Sequence, residues 1–303
     1  MQEISDSELP EDFAIFILTH GRPDNVKTIS TLERSGYRGK IYFIVDDLDK
    51  TVSKYIENFG EANVIVFDKM AEASKTDSAD TLDDMRTITY ARNASFQIAR
   101  DLGLKYFMQL DDDYTKFEYR FNDRLRYKPE VFTTVRKNPR LDDVLAPILK
   151  FYKNVNVATV AISQGGDWIG GENSSAAKAI TPKRKAMNSF ICSVDRQFRF
   201  VGRMNEDVNT YTSLGSRGVL FLTINQVSLT QMGTQSSEGG ITELYKSFGT
   251  YVKSFYTIMF HPSSVKISQI GNARESMRIH HAVKWKNTVP MIIRETCRAS
   301  NPA

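Results

Sequence analysis

Apolar residues along the chain fall into short runs that stop abruptly at polar clusters. Phe13–Thr19 is one such run, and its end at His20-Gly21-Arg22-Pro23-Asp24 predicts a buried strand closed by a tight turn. Asp24 or Asn25 then caps a helix reaching Ser35-Gly36. Lys40–Val45 predicts a second strand that ends in Asp46-Asp47, Lys50–Phe59 a short helix, and Asn63–Phe67 a third strand. Strand–helix–strand–helix–strand is the order of a parallel sheet covered by helices. Met70–Asp80 is polar and predicts a loop. From Leu82 onward Met85, Ile88, Ala91, Ala94, Ile98 and Leu102 recur at helical spacing, with Thr81 or Asp83 to start the helix and Gly103 to stop it. Tyr106–Leu110 predicts a fourth strand, which runs directly into Asp111-Asp112-Asp113. A helix over Leu141–Tyr152 and strands over Val157–Ser163, Phe190–Val194 and Val219–Ile224 follow, then a helix within Ile241–Phe260 and an extended C-terminal region. No repeat or low-complexity linker divides the chain, so one composite α/β domain is expected.

Composition narrows the class. With 41% hydrophobic and 25% charged residues, the 303-residue chain is globular rather than disordered or collagen-like. No apolar run approaches the ~20 residues of a membrane helix. Glu3, Asp6, Glu8, Glu11 and Asp12 make the N-terminus acidic where a signal peptide is basic and then apolar, so a cytoplasmic protein without a membrane partner is expected. Cys192 and Cys297 are too few for a disulfide framework or a Cys-rich zinc site. The net charge of +4 is small, but basic residues crowd two stretches, Lys116–Arg140 and Lys178–Arg203. Either stretch can track a polyanion or form an ordinary mixed-charge surface.

The chemistry gathers where strands end, which is where open α/β sheets bind ligands. Asp111 and Asp113 are two residues apart and face the same way in an extended segment, so both can ligate one Mg²⁺ or Mn²⁺ whose remaining positions take phosphate oxygens and water. A solvated turn is the alternative. Asp46 and Asp47 suit a base or ribose, or a helix cap; Arg22 suits a phosphate; Arg92 and Asn93 can reach a diphosphate or ribose, or form a surface pair. Glu206 or Asp207 can take a proton from a hydroxyl, while Asp207 also suits the N-cap of a helix over Val208–Leu214. Trp168, within the Gly-rich stretch Gly165–Glu172, can stack on a substrate as part of a lid or tuck into the core. The pair His280-His281 can return an imidazole to the metal.

In this order the pieces resemble a GT-A glycosyltransferase, on Phe13–Asp24, Lys40–Asp47, Tyr106–Asp113 and Asn205-Glu206-Asp207. Thr19-His20-Gly21-Arg22-Pro23, Ala91-Arg92-Asn93 and Arg278-Ile279-His280-His281 are similar to the TET/JBP-associated glycosyltransferases of phages and kinetoplastids, which are linked to sugar addition on hydroxymethylated pyrimidines in DNA. The resemblance implies a Rossmann-like, mostly parallel sheet, with residues 12–115 holding a nucleotide-sugar and a mixed acceptor-binding part over 116–303. It implies a UDP-sugar donor, UDP-glucose foremost, contacted by Thr19, Arg22, Asp46 or Asp47, Arg92, Asn93 and Asp112. Asp111, Asp113 and His281 or His280 would hold Mn²⁺ or Mg²⁺, with Asp112 the alternative to Asp111, and Glu206 or Asp207 would be the base of an inverting displacement. A hydroxymethylpyrimidine in phage DNA would be the acceptor, met by Lys183, Arg184, Lys185 and Trp168; for a phage protein the location would be the host cytoplasm. A protein or glycan acceptor, or a non-catalytic DNA-binding module on a nucleotide-binding fold, are the alternatives.

Overall fold

A computed structural model of the chain describes residues 9–122, 124–132, 140–178, 185–232, 241–249, 251–270 and 278–292. The elements in order are β1 (Phe13–Leu18), α1 (Lys27–Arg34), β2 (Lys40–Asp46), α2 (Val52–Phe59), β3 (Val64–Phe67), α3 (Lys69–Ala73), α4 (Thr89–Asp101), β4 (Tyr106–Asp111), β5 (Tyr114–Phe121), β6 (Tyr127–Val131), α5 (Leu141–Asn154), β7 (Thr159–Gln164), α6 (Ser175–Lys178), β8 (Phe190–Ser193), α7 (Glu206–Ser216), β9 (Phe221–Gln231), α8 (Thr242–Phe248), α9 (Val252–Phe260), β10 (Val265–Ile270), β11 (Arg278–Val283) and α10 (Trp285–Thr288). Among the described residues, nine strands form one sheet in the order β3-β2-β1-β4-β8-β7-β9-β5-β6, and β10 and β11 form a separate antiparallel ribbon.

The first four positions, β3-β2-β1-β4, are parallel. Beyond them β8 runs antiparallel to both β4 and β7, β7 and β9 are parallel, and β5 is antiparallel to β9 and β6. The sheet is therefore parallel in its N-terminal half and mixed in its C-terminal half. Helices cover both faces, which is why β1 is apolar at every position: Phe13, Ile15 and Ile17 pack toward α1, α2 and α5, while Ala14, Phe16 and Leu18 pack toward α4 and α7. Phe16 stacks on Phe107 at 5.1 Å between ring centres. A full side chain of this kind buried contributes about 1.5–3 kcal/mol.

Several local expectations shift. The segment after β3 holds the short helix α3, started by Asp68, whose side chain accepts from the Ala71 N–H at 2.8 Å. The next helix begins at Thr89 rather than near Thr81 or Asp83, because residues 77–88 are drawn across to the 199–204 segment: Asp77 and Ser78 carbonyls accept from the Gly202 and Arg203 N–H groups at 2.7 and 3.1 Å. Gly103 does stop it, at φ +70°. The region Ile241–Phe260 is two helices rather than one, parted at Gly249 with φ +84°. Strands β5 and β6 lie inside the first basic stretch and are not legible there.

Candidate active site

Parallel pairing sets three loops side by side. Leu18 of β1 is in register with Ile44 of β2 and Asp111 of β4, so Thr19–Arg22, Asp46 and Asp111–Asp113 emerge on one rim. Helix α1 fixes the last of these by its backbone: Thr28 donates its N–H to the Asp112 carbonyl (3.1 Å) and its hydroxyl to the Asp111 carbonyl (2.6 Å). Thr19 Oγ1 donates to Asp112 Oδ2 at 2.7 Å, and Arg22 Nη1 lies 3.2 Å from Asp112 Oδ1. Asp46 sits between His20 Nδ1 (2.6 Å) and Lys69 Nζ (3.1 Å). Burial alone would raise its pKa, but the hydrogen bond and charge of His20, with Lys69, hold it below the ordinary value.

Arg92 of α4 is fully buried and bridges two halves of the rim. Its Nη2 lies 2.8 Å from Asp111 Oδ1 and its Nε 2.9 Å from Glu206 Oε1. The guanidinium is also 5.3 and 5.8 Å from the ring centres of Phe190 and Phe200. The second oxygen of Asp111 accepts from Gln231 Nε2 at 3.0 Å. Gln231 reaches it because β9 bulges by three residues against β7, where Ile162 pairs with Ile224 but Ser163 with Ser228. Burial pushes Asp111 up to about 7, against the pull of Arg92 and with repulsion from Asp113, and burial likewise raises Asp112 and Asp113.

Glu206 and Asp207 open α7. The helix is preceded by Asn205 at φ +53°, and Asp207 is therefore not the N-cap but a first-turn residue, its Oδ1 accepting from the Val208 N–H at 2.8 Å. No hydrogen bond from the described residues occupies its other oxygen. Burial, then the neighbouring charge of Glu206, raises Asp207 to about 7. Behind the turn, Asn205 Nδ2 lies 3.4 Å from His281 Nδ1, and burial followed by the charge of His280 lowers His281 to about 3, a neutral imidazole.

These groups line one cleft of about 400 Å³. Its wall includes Thr19, Arg22, Asp46, Arg92, Asp111, Asp112, Asp113, Glu206 and Asp207, all expected from sequence, together with Lys69, Arg86, Arg203, Gln231, Tyr245 and Lys253, which were not. The donor set fits a small divalent cation. Among the described residues Asp113 Oδ1 is buried without a hydrogen-bond partner, and hard carboxylate oxygens are what Mg²⁺ and Mn²⁺ take. Among the described residues no three His, Cys, Asp or Glu side chains form a ready-made cage.

Other expected residues stand elsewhere. Asp47 is exposed and accepts from the N–H of Lys69, the first residue of α3, at 2.9 Å. Asn93 is outside the cleft wall and pairs with the Phe200 backbone in both directions, at 2.8 and 3.0 Å. Trp168 is neither lid nor stacking platform: it is 4% exposed, stacks on Tyr127, lies beneath Arg120 and donates to Ser163 Oγ at 3.0 Å. His281 is buried behind Asn205 and does not line the cleft. Lys183 and Arg184 lie outside the described residues; the charge of Lys185 acts on Asp207 and His281.

A sequence model of the family described as TET-Associated Glycosyltransferase matches residues 13–240. No curated protein matches the chain. Among solved structures it is similar to a mannosyltransferase from Pyrobaculum calidifontis in complex with GDP-Man and Mn²⁺, at 12% identity and a TM-score of 0.44 over 85% of this chain and 74% of that one. It is similar to glucosyl-3-phosphoglycerate synthase from Mycobacterium tuberculosis in complex with Mn²⁺ and UDP-glucose, at 9% identity and a TM-score of 0.46 over 94% and 93%. A third is S. aureus TarS 1-349 in complex with UDP-GlcNAc, at 12% identity and a TM-score of 0.41 over 81% and 66%.

Proposed function

The chain belongs to the TET-associated glycosyltransferase family, and from that premise we propose that it moves a sugar from a UDP-sugar to the hydroxyl of a hydroxymethylated pyrimidine in DNA. The observation that carries the reading is the single cleft that joins the ends of β1, β2 and β4 to the first turn of α7. On the β1–β2 side, Thr19 and Asp46 would hold the nucleoside, and Arg22 and Lys69 bring positive charge toward its phosphates. Asp111 and Asp113 would hold the divalent cation, which when bound supplies positive charge against the negative charge growing on the leaving diphosphate.

Asp207 would be the base. Glu206 is committed to Arg92 at 2.9 Å, whereas Asp207 keeps one oxygen for the acceptor and has a pKa of about 7, near working pH. The acceptor hydroxyl gives its proton to Asp207 as its oxygen bonds to the anomeric carbon. The bond from that carbon to the diphosphate breaks in the same displacement, UDP leaves, and the anomeric configuration inverts.

The test is UDP release from a panel of UDP-sugars with Mn²⁺, with and without DNA carrying 5-hydroxymethylcytosine or 5-hydroxymethyluracil. The reading expects release that needs both metal and modified DNA, and that Asp113→Asn abolishes it. Release equally fast with a protein or glycan acceptor and no DNA would move the acceptor class. Absence of release with any sugar would overturn the reading.

A further inference from the structure

The C-terminal part of the chain carries a basic excess of its own, outside the two basic stretches. Residues 241–303 hold nine of the 40 Lys and Arg but three of the 36 Asp and Glu, which leaves 31 basic against 33 acidic residues in the first 240. The segment that begins where the family match ends therefore carries a net charge of +6. Some of the basic residues in the two stretches are used inside the fold. Lys116 and Arg120 pair with Glu118, Arg199 with Glu72 and Arg203 with Asp80, while Arg196 donates to the carbonyls of Tyr152, Val155 and Val157.

The C-terminal segment also sits at the mouth of the cleft. Tyr245 of α8 and Lys253 of α9 line it, and Tyr256 donates its hydroxyl to Asp80. The β10–β11 ribbon is two-faced. Val265 pairs with Val283 and Ile267 with His281, and alternation puts these four on one face, where Val265 and His281 are buried; Lys266 and His280 stand on the other face. Lys246, Lys266, Lys284 and Lys286 are exposed and form no ion pair among the described residues. Aromatic rings interleave with the lysines along α8 and α9: Phe248, Tyr251 and Phe255 are 45, 47 and 44% exposed.

We propose that this C-terminal cap, formed by α8, α9, α10 and the β10–β11 ribbon, is the surface on which acceptor DNA docks. Exposed lysines and exposed rings on one C-terminal segment suit a nucleic acid strand, because ammonium groups displace counterions from phosphates and rings stack on bases irrespective of sequence. The inference rests on the DNA-acceptor reading and adds the footprint to it. Lys253, in the cleft wall, makes the surface continuous with the site.

The experiment measures the affinity of the full chain for a duplex containing 5-hydroxymethylcytosine across a salt series, for wild type, the triple reversal Lys266→Glu/Lys284→Glu/Lys286→Glu, and the double reversal Arg124→Glu/Lys128→Glu. Circular dichroism and thermal melting establish that each variant is folded, and Tyr251→Ala/Phe255→Ala serves as a second probe without charge change. The cap predicts that the triple reversal lowers the slope of log K against log salt by about 2–3, since each lost phosphate contact removes about 0.9. The Arg124/Lys128 reversal keeps the slope, and the aromatic pair weakens binding several-fold at unchanged slope. A folded triple variant with wild-type slope and affinity would overturn the cap while leaving DNA as acceptor. A wild-type protein with no salt-dependent binding would overturn the DNA reading itself, and the cap with it.

Discussion

At the scale of single residues, the site is a problem of buried negative charge, and Asp207 is where that charge becomes testable. Its pKa of about 7 comes from burial first and from Glu206 second. As a base it must be deprotonated, so turnover is expected to fall about tenfold per pH unit below about pH 7, and Asp207→Asn to lower kcat by about 10²–10⁴. The same shift sets a stability sign. A carboxyl whose folded pKa lies above its unfolded value of 3.8 binds more protons in the folded state, so its share of stability is present at low pH and is lost as pH rises from about 4 to 7. Asp207→Asn is therefore expected to leave stability near wild type at pH 4 and to raise it by about 1–3 kcal/mol at pH 8, read by urea unfolding at both values. Equal stabilities at pH 8 would mean that the carboxylate is not penalised by its surroundings. The carboxylates themselves were legible in the sequence, because Asp111, Asp113, Glu206 and Asp207 stand at predicted strand or helix ends. Of their partners, Arg92 was legible as a site residue and Gln231 was not. Gln231 is neutral and 120 residues from Asp111, and no local pattern marks it.

At the scale of elements, the sequence reads well where burial is two-sided and poorly where charges are paired inside the sheet. β1, β2 and β4 are continuous apolar runs between helices, and their ends fall within one residue of expectation. β5 reads Tyr-Thr-Lys-Phe-Glu-Tyr-Arg-Phe, and its alternation is hidden because Glu118 and Arg120 are buried as a pair at 3.2 Å. The late start of α4 has a similar origin, since residues 77–88 are claimed by tertiary bonds to the segment that leads into Glu206. Gly202 is the pivot of that segment. It has φ +88°, and a Cβ there would overlap Asn209 Nδ2, the group that donates to the Val201 and Met204 carbonyls at 3.0 and 2.9 Å. Gly202→Ala is expected to cost about 1–3 kcal/mol, seen as a lower melting temperature. Because the strain falls on the turn before Glu206 and Asp207, kcat should drop even at temperatures where the variant is fully folded. An alanine variant with native melting and native turnover would show that the turn tolerates displacement.

At the scale of the whole molecule, the parallel half of the sheet and α7 deliver Asp46, Asp111, Asp112, Asp113, Glu206 and Asp207 to one cleft, and the fold supplies cations of its own for only some of them. Arg92 serves Asp111 and Glu206, Lys69 serves Asp46, and Arg22 serves Asp112. Among the described residues Asp113 retains a buried oxygen without a hydrogen-bond partner. Like charges gathered at low dielectric repel by several kcal/mol unless a counter-charge enters, and on the proposed function a bound cation is that counter-charge. Mn²⁺ and UDP together are thus expected to stabilise the protein more than the sum of either alone, because each supplies the charge the other lacks. At 100 times the dissociation constant a ligand adds about 2.7 kcal/mol, enough to be clear in a melting curve. Asp113→Asn should erase the Mn²⁺-dependent part and leave a melting temperature without metal that is no lower than wild type, since it removes a carboxylate that burial disfavours. If Mn²⁺ stabilised Asp113→Asn as strongly as wild type, the cation would be held elsewhere, and Asp111–Asp113 would lose its place as the centre of the site.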